Sequence, residues 1–150
     1  MKKLIKIFLR FSLAAGFFSA VADRWGLWSA ENSAWGNWDK FVEYTAVLNP
    51  WFGASMVSFA AIVATAAEVV FGILLVLGLK TEKVAFLSGI LLLIFALSMT
   101  YSLGVKAPFD YSVFSASAAA FALSTMKEKY LELDVLFTNK ISKKRRTHRI

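Results

Sequence analysis

Glu68 stands inside "ATAAEVVFGILLVLG" (64–78), a stretch that is otherwise almost wholly apolar. An acid in such a place can lock helices through a hydrogen bond, carry a proton, or anchor the polar end of an amphiphilic ligand such as a quinone. A second group of candidates lies at the ends of apolar blocks: Asp23 and Arg24 in "ADRWGLW", and Lys106, Asp110 and Tyr111 in "KAPFDYS". These could converge as a polar mouth. Alternatively, Asp110, two residues after Pro108, simply suits a helix N-terminus, where the macrodipole favours an anion. Ser115 and Ser117, in "YSVFSASAAAFALS", add hydroxyls at a depth comparable to that of Glu68, as do the small residues Ala15 and Gly16. Other chemistries are excluded. The chain has no cysteine, so it forms no disulfide and offers no thiol to a redox step or an iron–sulfur cluster. Its one histidine, His148, lies outside the apolar blocks and can ligate no haem there. The blocks hold too few carboxylates for a binuclear centre, so no metal is expected.

The elements that must position these residues are apolar blocks of membrane character. Hydrophobic residues make up 58% of the 150 residues, against roughly 45–50% in soluble domains. The blocks cover about 4–22, 56–79, 84–104 and 109–126. At 1.5 Å per residue they measure roughly 27 to 36 Å, matching a hydrocarbon core of ~30 Å. None alternates with period two, and helices satisfy their own backbone in lipid. The expected fold is therefore all-α: an integral membrane bundle of four transmembrane helices over 1–126, followed by a basic cytoplasmic tail over 127–150. Lysine and arginine set its direction. Of the 17, all but Arg24, Lys40 and Lys106 fall on one side, so the positive-inside rule puts both termini in the cytoplasm. The "KKRR" run at 143–146 reads as a solvated tail near anionic lipid rather than a nucleic-acid site. "MKK" and "AVA" at 20–22 resemble a cleavable signal, but Arg10 would interrupt its apolar core.

The stretch 23–55 carries all five tryptophans, which favour the headgroup level. Within it, "NWDKFVEYTAVLNP" reads as a short interfacial helix capped by Asn37 and ended by Asn49-Pro50. Trp38, Phe41, Val42, Thr45 and Leu48 share one side, and Asp39, Lys40 and Glu43 lie away from it. It serves as an anchor or as a lid over the bundle.

Glu68 is expected about 12 residues from either end of its span, where an acid costs on the order of 3 kcal/mol and must face protein. Ala54, Ser58, Ala61, Thr65, Glu68 and Gly72 form a stripe of small residues around it, which allows close helix approach. Burial favours the neutral acid as a hydrogen-bond donor. Arg10 could reach toward Glu68, but the expectation is that it snorkels to the cytoplasmic interface. "YLELDVLF" (130–137) reads equally as helix or strand, and 138–150 as mobile.

Four segments resemble the DoxX family of small bacterial membrane proteins: "LAAGFFSAVADRWGLW", "WGNWDKFVEYTAVLNPW", "TAAEVVFGILLVLGLKTEKVAFLSGILLLIFALSM" and "KAPFDYSVFSASAAAFAL". The most family-like piece is Glu68, Gly72, Leu77, Gly78 and Lys80. The resemblance implies a multi-pass protein of the bacterial inner membrane but no agreed catalytic motif. It leaves two expectations. One is a non-catalytic accessory, assembly or binding component, working with a membrane-protein partner or as a homo-oligomer. The other is a quinone-linked oxidoreductase subunit in which Glu68 handles a proton or touches the quinone. Solute transport is weaker, because no inverted repeat is evident.

Overall fold

A computed structural model describes residues 1–135. Within them the chain forms six helices and no strand: α1 (Lys2–Arg24), α2 (Trp38–Leu48), α3 (Ala54–Leu77), α4 (Thr81–Leu103), α5 (Lys106–Asp110) and α6 (Val113–Ser124). Three of them, α1, α3 and α4, are long and apolar enough to cross a membrane. The fourth apolar block is divided. It starts as the single turn of α5, breaks at Tyr111 and Ser112, and resumes as α6. Ser112 has φ 55°, a left-handed conformation that no continuing helix adopts. The 12 residues of α6 measure only about 18 Å.

The long helices and α6 close into a ring in which α1 packs on α3, α3 on α4, α4 on α6 and α6 back on α1. Leu13, Ala14, Phe17, Leu75, Val84, Ala85, Ala120 and Leu123 form the shared core. Glycine permits two of the closest crossings. A side chain at Gly72 would strike the Phe18 ring, and one at Gly89 the Phe121 ring. Beside the second crossing, the Ser117 hydroxyl donates to the Gly89 carbonyl at 2.8 Å. The expected small stripe is buried from Ala61 through Thr65, Glu68 and Gly72, but its first turn differs. Val57 turns inward there, while Ala54 and Ser58 are exposed.

The short helix α2 forms where its pattern placed it. Asn37 accepts from the Lys40 amide at 2.9 Å. Phe41, Thr45 and Leu48 are buried against α3 and α4, and Asp39, Lys40 and Glu43 point away.

At the opposite end of the bundle, residues 126–135 fold back under α1 and α3. The Leu133 amide donates to the Leu77 carbonyl at 3.2 Å and the Asp134 amide to Gly78 at 3.3 Å. Arg10 is buried here. Its guanidinium donates to the carbonyls of Leu75 and Val76 at 2.9 Å each, and to Leu131 at 2.8 Å. Contrary to expectation, Arg10 therefore does not snorkel out to an interface: carbonyls in the last turn of α3 and in the segment after α6 accept from it inside the protein. Lys6 is buried beside it, donating to the Met126 and Glu128 carbonyls at 2.7 Å each and forming an ion pair with Glu132 at 2.6 Å. Lys129 ties the segment to α4 through Glu82 at 3.1 Å. Burial alone would lower the pKa of that ammonium, but the hydrogen bond to Glu82 and the charges of Glu132 and Glu82 carry it above the ordinary lysine value. The "YLELDVLF" stretch is thus a docked strap as far as Val135. Its last two residues, the "KKRR" run, His148 and the expected mobility of 138–150 lie outside the described residues.

Gly78 is where strap and helix meet. It has φ +66°, and a Cβ there would lie 2.7 Å from both Arg10 Nη2 and the Glu132 backbone. Gly78→Ala should therefore cost more than the ~1–2 kcal/mol of a left-handed alanine. Gly16→Ala, with nothing within 4 Å of the new methyl, should be neutral or stabilising by up to ~1 kcal/mol. Thermal unfolding in detergent should show a lowered midpoint for the first variant only. Equal midpoints would contradict the packing described.

Candidate functional site

Glu68 lies 14 residues into α3 and nine from its end, so it is displaced from the helix centre toward the strap. Its partner is Arg24, the last residue of α1. Nη2 donates to Oε1 at 3.0 Å, and Nη1 donates to Oε2 and to the Thr65 hydroxyl at 2.6 Å. Both residues are only 3% exposed. Thr65 donates in turn to the Ala61 carbonyl at 2.9 Å. Thr65 and Glu68, neighbours on the small stripe of α3, thus receive the guanidinium from the end of α1. The expected role of the acid as a hydrogen-bond donor is corrected here. A cation supplies the hydrogen bonds, and both carboxylate oxygens accept from it, the bidentate geometry that suits guanidinium and carboxylate planes.

The pair is roofed by aromatic rings. The Phe41 ring centroid lies 3.7 Å from the guanidinium carbon and the Trp35 centroid 5.4 Å, and the two rings meet edge to face at 5.1 Å. Arginine over an aromatic face gains cation–π energy, most where water is excluded. The loop that brings Trp35 into place is held by Asp23. Its carboxylate accepts from the Ser33 hydroxyl and from the amides of Ala34 at 2.9 Å, Trp35 at 3.0 Å and Gly36 at 3.4 Å. Asp23 and Arg24 are adjacent, yet they face about 100° apart on the helix. One fastens the cover and the other holds the charge beneath it.

The remaining candidates do not join this centre. Lys106 and Asp110 pair with each other at 2.5 Å across one exposed turn. Tyr111 is exposed at the helix break, and Ser115 is exposed on α6. Ser117 serves the α4–α6 crossing, and Ala15 and Gly16 are exposed. The polar mouth is therefore two separate features, because Lys106 and Asp110 have a sufficient partner within their own turn. Among the described residues no cluster of carboxylates or histidines could hold a metal.

Sequence reasoning overlooked the pairing of Arg24 with Glu68 because the first block was ended at Ala22. The signal was present. Leu13, Ala14, Phe17 and Val21 form the buried stripe of α1, and Arg24 continues it at the same spacing. Lys6 and Arg10 continue it in the other direction, whereas Glu132 carried no such signal.

The DoxX family model matches residues 5–101, which include all of α2 and α3, most of α1 and α4, and both Arg24 and Glu68. Neither a curated protein nor a solved structure matches the chain.

Removing one member of a buried pair strands the other. Glu68→Ala and Arg24→Ala should each destabilise by about 3–5 kcal/mol, while Arg24→Met with Glu68→Leu should recover most of that loss. Unfolding in mixed micelles reads this out, and a double variant no better than either single one would contradict it. Asp23→Ala frees the loop, so tryptic cleavage at Lys40 should accelerate while the bundle stays folded. Unchanged cleavage would show that Asp23 does not fasten it.

Proposed function

The chain belongs to the DoxX family, and on that premise we propose that it is a non-catalytic membrane component, an accessory or binding module that works with another membrane protein or with its own copies. One observation carries this reading: the intramembrane acid is already spent. Both oxygens of Glu68 accept from Arg24, and Phe41 and Trp35 close over the pair. A proton carrier needs a carboxylate that can exchange with a substrate or with water, whereas a paired and roofed one acts as a fixed post.

In this reading the protein sits in the bacterial inner membrane with four passes and both termini in the cytoplasm. The helix ring, with α5 and α6 together as the fourth pass, supports that topology, as does the bias of lysine and arginine to one side. The exposed Trp25, Trp28 and Trp51 form an anchor at the opposite interface, and α2 lies along that face over the ion pair. The loop is then both the anchor and the lid.

A quinone-linked role has one observation in its favour. Arg24 Nε is buried and has no hydrogen-bond partner among the described residues, which leaves one donor for the carbonyl of a bound quinone.

Mild-detergent purification from native membranes, with mass spectrometry of retained proteins and small molecules, separates the two. The accessory reading expects a protein partner in stoichiometric yield, or a defined oligomer, with no quinone. It also expects Glu68→Gln, where still folded, to leave any quinone-linked activity of that complex unchanged. Stoichiometric quinone that is lost in Glu68→Gln would overturn it.

A further inference from the structure

Where α1 begins and α6 ends, a groove of about 390 Å³ opens between them. It is lined by Lys2, Lys3, Lys6, Thr125, Met126, Lys127 and Glu128. We propose that this groove is a binding site for an anionic phospholipid, whose phosphodiester headgroup is held by Lys2, Lys3 and Lys127 and whose acyl chain lies along α1.

Charge is the first argument. Lys6 is spent on Glu132 and on the Met126 and Glu128 carbonyls. Those bonds also occupy two backbone acceptors that would otherwise repel a phosphate. Lys2, Lys3 and Lys127 are exposed and make no ion pair among the described residues, and Lys3 rests over the Tyr130 ring at 5.2 Å. The lining carboxylate Glu128 offsets one of these charges. Two positive charges remain uncompensated around a space whose size falls within the ~300–1,000 Å³ of small-molecule sites. The first turn of α1 contains no acid, so its free amide groups add to the same field.

Position is the second argument. Directly beyond the lysines, α1 exposes Leu4 (69%), Ile5, Phe8 (72%) and Phe11. Leu4, Phe8 and Phe11 recur at helical spacing on the face turned away from buried Lys6, so an apolar rail begins at the same helix end as the lysines, outside the groove itself. Free phosphate or a nucleic acid would use the lysines and leave the rail bare. A phospholipid uses both. The floor is also rigid before any ligand arrives, because Lys6 ties residues 126 and 128 to α1. The site does not depend on which leaflet this end faces.

The test uses the full chain in nanodiscs of equimolar phosphatidylglycerol and phosphatidylcholine, followed by gentle release into neutral detergent and native mass spectrometry. The expected result is one retained phosphatidylglycerol, enriched about tenfold or more over phosphatidylcholine. Each change of Lys2, Lys3 or Lys127 to glutamine should lower retention roughly fivefold, the worth of one lysine beside anionic lipid. Glu128→Gln should raise it. Neutralising Lys143, Lys144, Arg145 and Arg146 should leave it unchanged, which separates the groove from general attraction by the basic run. Equal retention of the two lipids, insensitivity to the three lysines, or displacement of the lipid by millimolar inorganic phosphate would overturn the proposal.

Discussion

A charged pair in the interior of an apolar bundle constrains everything around it. Moving a carboxylate and a guanidinium out of water costs several kcal/mol per ion even after relaxation, and their attraction offsets this only with near-ideal geometry and no stranded neighbour. Around Arg24 and Glu68 the protein meets most of that demand. Thr65 gives a third acceptor, and two aromatic faces cover the guanidinium. The cover in turn needs α2 and the loop, and the loop needs Asp23. A single electrostatic requirement thus explains why the connection between α1 and α3 is long, aromatic and fastened at four points.

The same logic runs in reverse at the other end. There the bundle buries cations, and the shortage is of acceptors. Lys6 and Arg10 find them in backbone carbonyls that helix termini leave unused, and in Glu132. The two ends of α1 are therefore fixed by different chemistry. At one, a cation descends to a carboxylate inside the helix ring. At the other, two cations collect the loose ends of α3 and of the chain after α6. Between them α1 meets α3 through a ring against a small residue, at Phe18 with Gly72.

Much of this was legible in the sequence, and for identifiable reasons. Three apolar blocks became α1, α3 and α4 with ends shifted by only a few residues, because apolar length is a strong signal in lipid. The Asn37 cap and the face of α2 followed from spacing and side-chain chemistry. Glu68 stood out as the one acid within its block. What hydropathy hid were the charged residues at block edges. Arg24, Arg10 and Lys6 all lie on the buried stripe of α1, but a reading weighted by apolarity treats charge as the end of the pattern. The break at Ser112 was hidden too, since serine is no strong helix breaker and its left-handed backbone is a consequence of packing. The strap was undecidable because "YLEL" suits helix and strand alike, and its conformation comes from carbonyls more than forty residues away.

That strap imposes an order of assembly. Lys6 is made before Met126, Glu128 and Glu132, which satisfy it and follow it by about 120 residues. During synthesis α1 enters the membrane carrying cations whose acceptors do not yet exist, and it must rely on water or lipid phosphate in the interim. Maturation is therefore a handover: temporary ligands on Lys6 and Arg10 give way to the chain's own later segment, and this end of the bundle closes only once residues 126–132 have been made.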